Sequence, residues 1–477
     1  MVNFDKLRAD LESGRQRKLA EFDELEGYLD SSSVPAGTLV QRVIYFAANK
    51  GSTDYSAVQA PASSEVVLSE DQQVAWEKLN RWIEAESPYF VLRGFAGTGK
   101  TFLMKMLLEK AAKSFKFTAP TNKAAKVLSQ MLGTDASTIH SLLGLRMVPD
   151  EEGMRLEYPR TMPHISRSTV VVIDEASMVG RELHDFVDRA RAQCGFRVLY
   201  VGDPAQLNPI GERSSPAWEV AAKEDRAMLR KVMRFDNQLL NLSLRIRKRM
   251  AEKRFVSPVR DDHDAEGGVF LLSQKKFDEQ LASLKLEDFD TTKVVAWRNK
   301  TVARYNRTIR KQLGFVRQYE EGDVLLLGGP IEVDGKIVGH TDEEGRVESA
   351  KRTRVEVDGE DVRVWRIVLK TDDAVHTLNV PLDDDTVLPR ILSEKAAAAR
   401  NAPGHLRKSL WSDFWDTKKR FNTVRYGYAM TAHRVQGSTL DTAFVDQEDV
   451  LANQDSLEAF RCLYVACTRP RFRLYTF

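Results

Sequence analysis

The sequence predicts an α/β chain of doubly wound parallel sheets, and three observations predict it. Residues 88–92 form a short β-prone apolar run that enters a glycine-rich stretch, and residues 102–108 then read as a helix. Residues 169–173 are almost wholly apolar, as expected of a strand covered on both faces of a parallel sheet. Alternation of strand and helix resumes beyond Arg230, with a strand at 293–297 and a helix at 300–312.

Taken in order, residues 1–65 stand apart. Residues 5–28 are charged, with apolar positions near helical spacing, and predict an amphipathic helix that packs or docks. Residues 49–64 read as a linker rich in Gly, Ser, Ala and Pro. A helix opens near Ser69, a second strand covers 115–120, a helix covers 123–131, and another strand covers 197–201. Between residues 144 and 164 the alternation stops, and the turn signal Pro149-Asp150-Glu151-Glu152-Gly153 predicts a hairpin insertion. Residues 322–388 are β-rich, with Asp-Gly turns at 334–335 and 358–359, and predict a small inserted barrel or sheet. The expected domains are therefore 1–65, 66–229 with an insertion at 144–164, and 230–477 with an insertion at 322–420.

Composition narrows the function class. The chain has 477 residues, 42% hydrophobic and 29% charged, an ordinary globular balance. Its net charge is +2, so any nucleic-acid surface must be a local patch. Cys194, Cys462 and Cys467 make no C-x-x-C pair, which argues against a metal framework and fits a reducing compartment. No apolar run reaches membrane-spanning length, so a cytoplasmic protein without a membrane partner is expected.

The chemistry begins at residues 93–101, which satisfy G-x-x-x-x-G-K-[ST] at Gly94, Gly99, Lys100 and Thr101, with Gly97 and Thr98 inside the loop. Glycines allow backbone N–H groups to close around phosphate, and the helix N-terminus adds positive potential. In this motif Lys100 reaches the β- and γ-phosphates of ATP and the Thr101 hydroxyl ligates Mg²⁺. Asp174 and Glu175 end the apolar strand at 169–173, where strand C-termini face a nucleotide crevice. Asp174 suits the Mg²⁺ ion, and Glu175 suits orientation and deprotonation of an attacking water. Gln206 follows the next strand as a polar amide able to sense the γ-phosphate, although Gly202-Asp203-Pro204 is equally good turn chemistry.

These motifs, with Ala119-Pro120-Thr121-Asn122 and Tyr464-Val465-Ala466-Cys467-Thr468-Arg469, occur in the order found in superfamily 1 helicases. Residues 136–141, 411–416 and 431–437 make the chain resemble the Dda-type, RecD-related branch of superfamily 1B. The resemblance spans about residues 68–477 and implies two RecA-like domains, with a pin hairpin in the first and an SH3-like β insertion in the second. It implies that Gln72 reads adenine, that Arg234 and Arg469 act as arginine fingers, and that Gly437 lines the nucleotide cleft. Pro470 stands where the family has glycine. On the DNA side it implies contacts from Pro120, Thr121, Asn122, Thr138 and His140 on the first domain, and from Trp297, Asn299, Thr431 and His433 on the second. Leu156 marks the pin tip, with Met154 and Tyr158 as neighbours. The basic run Arg245, Arg247, Lys248, Arg249, Lys253 and Arg254 reads as a solvated helix face. The expected activity is ATP-dependent 5′-to-3′ translocation on single-stranded DNA with duplex unwinding, in replication, recombination or repair. A translocase that strips proteins without separating strands is the alternative. The expected partners are single-stranded DNA, single-strand/duplex junctions, and a single-strand-binding or replication protein.

Overall fold

The computed structural model describes residues 68–477, apart from 111–112, 151–152, 158–163, 233–237 and 334–335. The predicted segments in residues 1–65 lie outside that range, as do Arg234 and Tyr158. Among the described residues, no helix is long and apolar enough to cross a membrane.

The first half opens with α1 (Glu70–Glu84), then β1 (Tyr89–Gly94), α2 (Lys100–Lys110), β2 (Ser114–Ala119), α3 (Asn122–Leu132), β3 (Ala136–Thr138) and α4 (Ile139–Leu143). A hairpin follows, β4 (Arg146–Asp150) and β5 (Gly153–Glu157). Then come β6 (Thr169–Ile173), α5 (Arg181–Cys194), β7 (Arg197–Gly202) and β8 (Arg226–Leu229). The six-stranded sheet runs β3-β2-β6-β7-β1-β8, with every neighbouring pair parallel. All five residues of β6 are buried, which explains its unbroken apolar sequence.

The second half repeats the plan. It contains α6 (Gln238–Ala251), β9 (Asp262–His263), β10 (Gly268–Leu271), α7 (Gln274–Ala282), β11 (Thr292–Ala296) and α8 (Asn299–Gln312). Strands β12 (Val324–Leu327), β13 (Ile331–Val333), β14 (Lys336–Gly339), β15 (Glu344–Val357), β16 (Glu360–Thr371) and β17 (Val375–Pro381) then precede α9 (Val387–Asn401) and α10 (Gly404–Lys419). The chain ends with β18 (Val424–Tyr426), β19 (Ala429–Thr431), α11 (Ala432–Val435), β20 (Leu440–Val445), α12 (Gln447–Leu451), α13 (Ser456–Cys467) and β21 (Pro470–Thr476). Its sheet runs β19-β11-β20-β21-β10-β9. In chain order β10, β11, β19, β20 and β21 occupy the places that β1, β2, β3, β6 and β7 hold in the first sheet, so the two halves share one winding.

The β-rich stretch forms a separate antiparallel sheet, β17-β16-β15-β12-β18. It reaches Val424–Tyr426, beyond the span read from sequence, because β18 pairs with β12 after the two helices α9 and α10. A buried ion pair anchors this sheet to the second half. Arg310 Nε and Nη2 donate to Asp323 at 2.9 and 2.8 Å, and the Tyr428 hydroxyl donates to the same carboxylate at 2.9 Å. Each buried lone pair then has a donor, the condition under which burying a charge is tolerated. Helix α10 lies against β4, so the antiparallel segment also reaches the first half's hairpin.

Candidate active site

The turn at residues 95–99 joins β1 to α2. Gly97 and Gly99 hold φ of 76° and 86°, left-handed values that other residues adopt at a cost. A Cβ on Gly99 would lie 2.4 Å from Gln72 Nε2, and one on Gly94 would lie 2.7 Å from Thr98 Oγ1. The loop is therefore a cradle that a larger residue would fill. Gln72 Nε2 donates to the Thr98 carbonyl at 3.0 Å, tying α1 to the loop, and Thr98 is fully buried. Lys100 Nζ donates to the Gly94 and Phe95 carbonyls, both at 2.9 Å, and Thr101 follows in the first turn of α2.

Asp174 and Glu175 sit just past β6, with the Asp174 N–H donating to the Thr118 carbonyl at 2.9 Å. Glu175 takes a left-handed φ of 51°, a strained conformation for a non-glycine residue that costs about 1–2 kcal/mol. Its Oε2 is buried without a hydrogen-bond partner among the described residues. Burial, and then the Glu175 charge, push the Asp174 carboxyl up to about 7, while Lys100 opposes the shift. A glycine cradle, an orphaned carboxylate oxygen and a second carboxylate short of positive charge fit a nucleotide with a divalent cation.

A pH dependence follows. The unfolded Asp174 carboxyl ionises near 3.8 and the folded one near 7, so between those values the folded state holds the extra proton. This group's support for folding is fully present below about pH 4 and is lost as pH rises through 7. Asp174→Asn is expected to flatten the fall in Tm between pH 5 and 8 measured without nucleotide or divalent cation. An unchanged slope would refute the shift.

The loop after β7 is held from the second half by groups that sequence reasoning missed. Arg247 on α6 donates through Nη1 to Asp203 Oδ1 at 2.5 Å, and its guanidinium lies 3.6 Å from the Phe95 ring centroid in the phosphate loop. Tyr464 on α13 donates to Asp203 Oδ2 at 2.6 Å and accepts the Ala96 N–H at 3.4 Å. Arg461 Nη1 donates to the Pro204 and Gln206 carbonyls at 2.8 and 2.5 Å. Gln436 Nε2 donates to Gln206 Oε1 at 3.0 Å and to Ser177 Oγ at 3.3 Å. Arg247 is thus not part of a solvated face, since its side chain is 13% exposed and turned into this junction. A charge run at helical spacing carries no sign of which member faces a partner, and only Asp203 in a loop motif hinted at a buried counter-charge.

Gly437 holds φ of 76°, and a Cβ there would sit 3.2 Å from the Ala124 Cβ on α3 of the first half. Arg469 is 9% exposed and donates to the carbonyls of Val465 and Ser438 at 3.2 and 3.3 Å, and to the Thr468 hydroxyl at 3.0 Å. It is buried in its own half beside the segment that meets α3.

The residues expected to touch DNA gather at one edge of each sheet. Pro120, Thr121 and Asn122 follow β2, Thr138 ends β3, and His140 follows it. Trp297 and Asn299 follow β11, Thr431 ends β19, and His433 follows it. Thr121 and Thr138 also cap helices, accepting the N–H of Ala124 at 3.2 Å and of Ser141 at 3.1 Å. Thr431 makes no capping bond. Burial lowers the pKa of both His140 and His433, and His433 Nε2 lies 3.7 Å from Glu458. Asp449 accepts the N–H groups of Trp297 and Arg298 at 2.8 and 2.9 Å, fixing the start of α8, while Trp297 packs half-buried on the core. Leu156 lies half-buried on β5 opposite Met147.

Two family models match the chain. One describes an AAA domain and covers residues 67–263, and the other describes a UvrD-like helicase C-terminal domain and covers residues 426–475. The ATP-dependent DNA helicase dda of Enterobacteria phage T4 is 27% identical over 86% of this chain and 98% of its own length. The ATP-dependent DNA helicase Pif1 of Bdellovibrio bacteriovorus is 30% identical over 48% of this chain and 56% of its own. A solved structure of Pif1 helicases at forked double-stranded DNA aligns with a TM-score of 0.48 and 16% identity, over 86% of this chain and 92% of that one. With its ordered motifs set on two sheets of one winding, the chain is similar to superfamily 1B helicases of the Dda/Pif1 type.

Proposed function

We propose that the chain is an ATP-dependent DNA helicase that moves along single-stranded DNA in the 5′-to-3′ direction and separates duplex ahead of it. One observation carries this reading. The loop after β7 is gripped by Arg247, Arg461, Tyr464 and Gln436 from the second half, and the same Tyr464 hydroxyl accepts an N–H of the phosphate loop. A change at the nucleotide is therefore felt directly by the half that carries Thr431 and His433.

In this mechanism Lys100 leaves its two loop carbonyls and pairs with the β- and γ-phosphates. Gln72 holds the adenine edge, and the backbone N–H groups of residues 97–101 close on the phosphates. Asp174 and Thr101 would hold Mg²⁺, whose charge neutralises the developing phosphate oxyanions when it is bound. Glu175, already strained and with its Oε2 unpartnered among the described residues, orients the attacking water and accepts its proton. Arg469 and Arg234 stabilise charge on the transferred phosphoryl group when the halves close. Opening and closing shift the β2/β3 edge against the β11/β19 edge, and the hydroxyl and amide groups there grip phosphates without reading sequence. The β4–β5 hairpin acts as the pin, and the five-stranded antiparallel sheet acts as its SH3-like support through α10.

Forked duplexes carrying only a 5′ or only a 3′ tail test this directly. Unwinding with ATP is expected on the 5′-tailed substrate. Deleting residues 147–156 is expected to abolish unwinding and spare DNA-stimulated ATP hydrolysis. Retained unwinding by that variant would remove the pin. Wild-type ATP hydrolysis and movement with no unwinding of either fork would favour a translocase that displaces bound proteins.

A further inference from the structure

Helix α6 divides its basic residues between two faces. Arg247 turns into the junction with Asp203 and Phe95. Arg245, Lys248, Arg249 and Glu252 fall on another face at i, i+3, i+4 and i+7 spacing. There they line a cavity of about 280 Å³ together with Arg254 and Arg260. Five cations meet a single carboxylate in its wall, in a chain whose net charge is only +2.

The charges are poorly compensated. Glu252 lies 3.8 Å from both Lys248 and Arg254, too far for strong pairing. Arg245 approaches Asp262 through Nη1 at 3.4 Å, while its Nε and Nη2 are buried without a hydrogen-bond partner among the described residues. A buried guanidinium donor left unmade costs about 1–3 kcal/mol, so the arrangement calls for an acceptor. The wall is built by a tight reversal after α6. Lys253 takes a left-handed φ of 53°, while its N–H bonds the Met250 carbonyl at 3.1 Å and the Arg254 N–H bonds the Arg249 carbonyl at 2.9 Å. Glycine usually takes that position.

We propose that this cavity is a second anion site, taking a ligand with two or more closely spaced phosphates. The guanidinium fork of Arg245 matches phosphate oxygens, and Lys248 and Arg249 supply charge at the rim. The site is distinct from the single-strand track. Asp262 belongs to β9, at the opposite edge of the second sheet from β19 and β11, four to five inter-strand spacings or about 19–24 Å away. The phosphates come either from successive phosphodiesters of a nucleic-acid segment outside the track or from a free polyphosphate.

The double variant Lys248→Ala/Arg249→Ala of the full chain tests it, since Lys248 is 76% exposed and neither residue belongs to the nucleotide site. ATP turnover on a strand too short to leave the track is expected to be unchanged, which separates this test from that of the motor itself. On a long single strand, the slope of log affinity against log salt is expected to fall by about 1.4, two contacts at about 0.7 each. Pyrophosphate binding is measured by calorimetry in a Lys100→Ala background, which silences the first phosphate site. Loss of pyrophosphate binding in the double variant, with the DNA slope intact, assigns the site to a free polyphosphate. If neither the slope nor pyrophosphate binding changes, the site is overturned.

Discussion

Lys100→Ala is expected to lower DNA-stimulated ATP hydrolysis by at least about 10³-fold, to the level of the DNA-free background. The Lys100 ammonium now donates to the Gly94 and Phe95 carbonyls, at the rim of the turn where phosphates would sit. Those carbonyls lie at the edge of a half-buried loop, so alanine leaves them to water and stability changes little. On the proposed mechanism Lys100 is the cation that the loop itself brings to the charge building on the β–γ bridge. The loss therefore falls on turnover, and Tm should stay within a few degrees of the parent. Steady-state ATPase with and without oligonucleotide decides it. Wild-type turnover in this variant would mean that residues 94–101 are not the site of hydrolysis.

Arg469→Ala is the second large effect, a fall of about 10³–10⁵ in turnover with nucleotide affinity kept within severalfold. The guanidinium hydrogen-bonds within its own half, to the Val465 and Ser438 carbonyls, and Ser438 adjoins the Gly437 that meets Ala124. On the proposed mechanism it waits beside the junction and engages phosphate only as the halves close. A fluorescent nucleotide titration should give near-parental affinity while hydrolysis stops. Equal losses in affinity and turnover would mean that Arg469 acts in the ground state, and parental turnover would remove it from the mechanism. Rescue by Arg469→Lys is expected to be poor, because an ammonium lacks the planar fork.

Much of the fold was legible because its elements are long and strongly patterned. Residues 169–173 read as a two-faced strand and are β6, buried throughout. The helix read at 300–312 is α8, which starts one residue earlier because Asp449 caps it from a distant segment. The β-rich stretch read as an insertion, yet its edge strand β18 lay past two helices, and no local pattern announces a partner so far along the chain. Within the candidate site, the glycine-rich loop and the acid pair were recognisable from spacing alone. The junction was not. Arg247 belongs to a run of similar cations, and its role depends on Asp203 and Phe95, which reach it only through the packing of the two halves.

By itself the sequence placed the glycine-rich loop and the Asp174–Glu175 pair, the candidates for phosphate, a divalent cation and an attacking water, because each set lies within one strand, turn or helix start and its geometry is local. It also determined that two regions of strand and helix alternate alike. Only the tertiary structure decided which cations guard the junction and which crowd an open cavity. Neighbours on one helix that differ by two positions point to opposite sides, and what waits on each side comes from strands and helices far away in the chain.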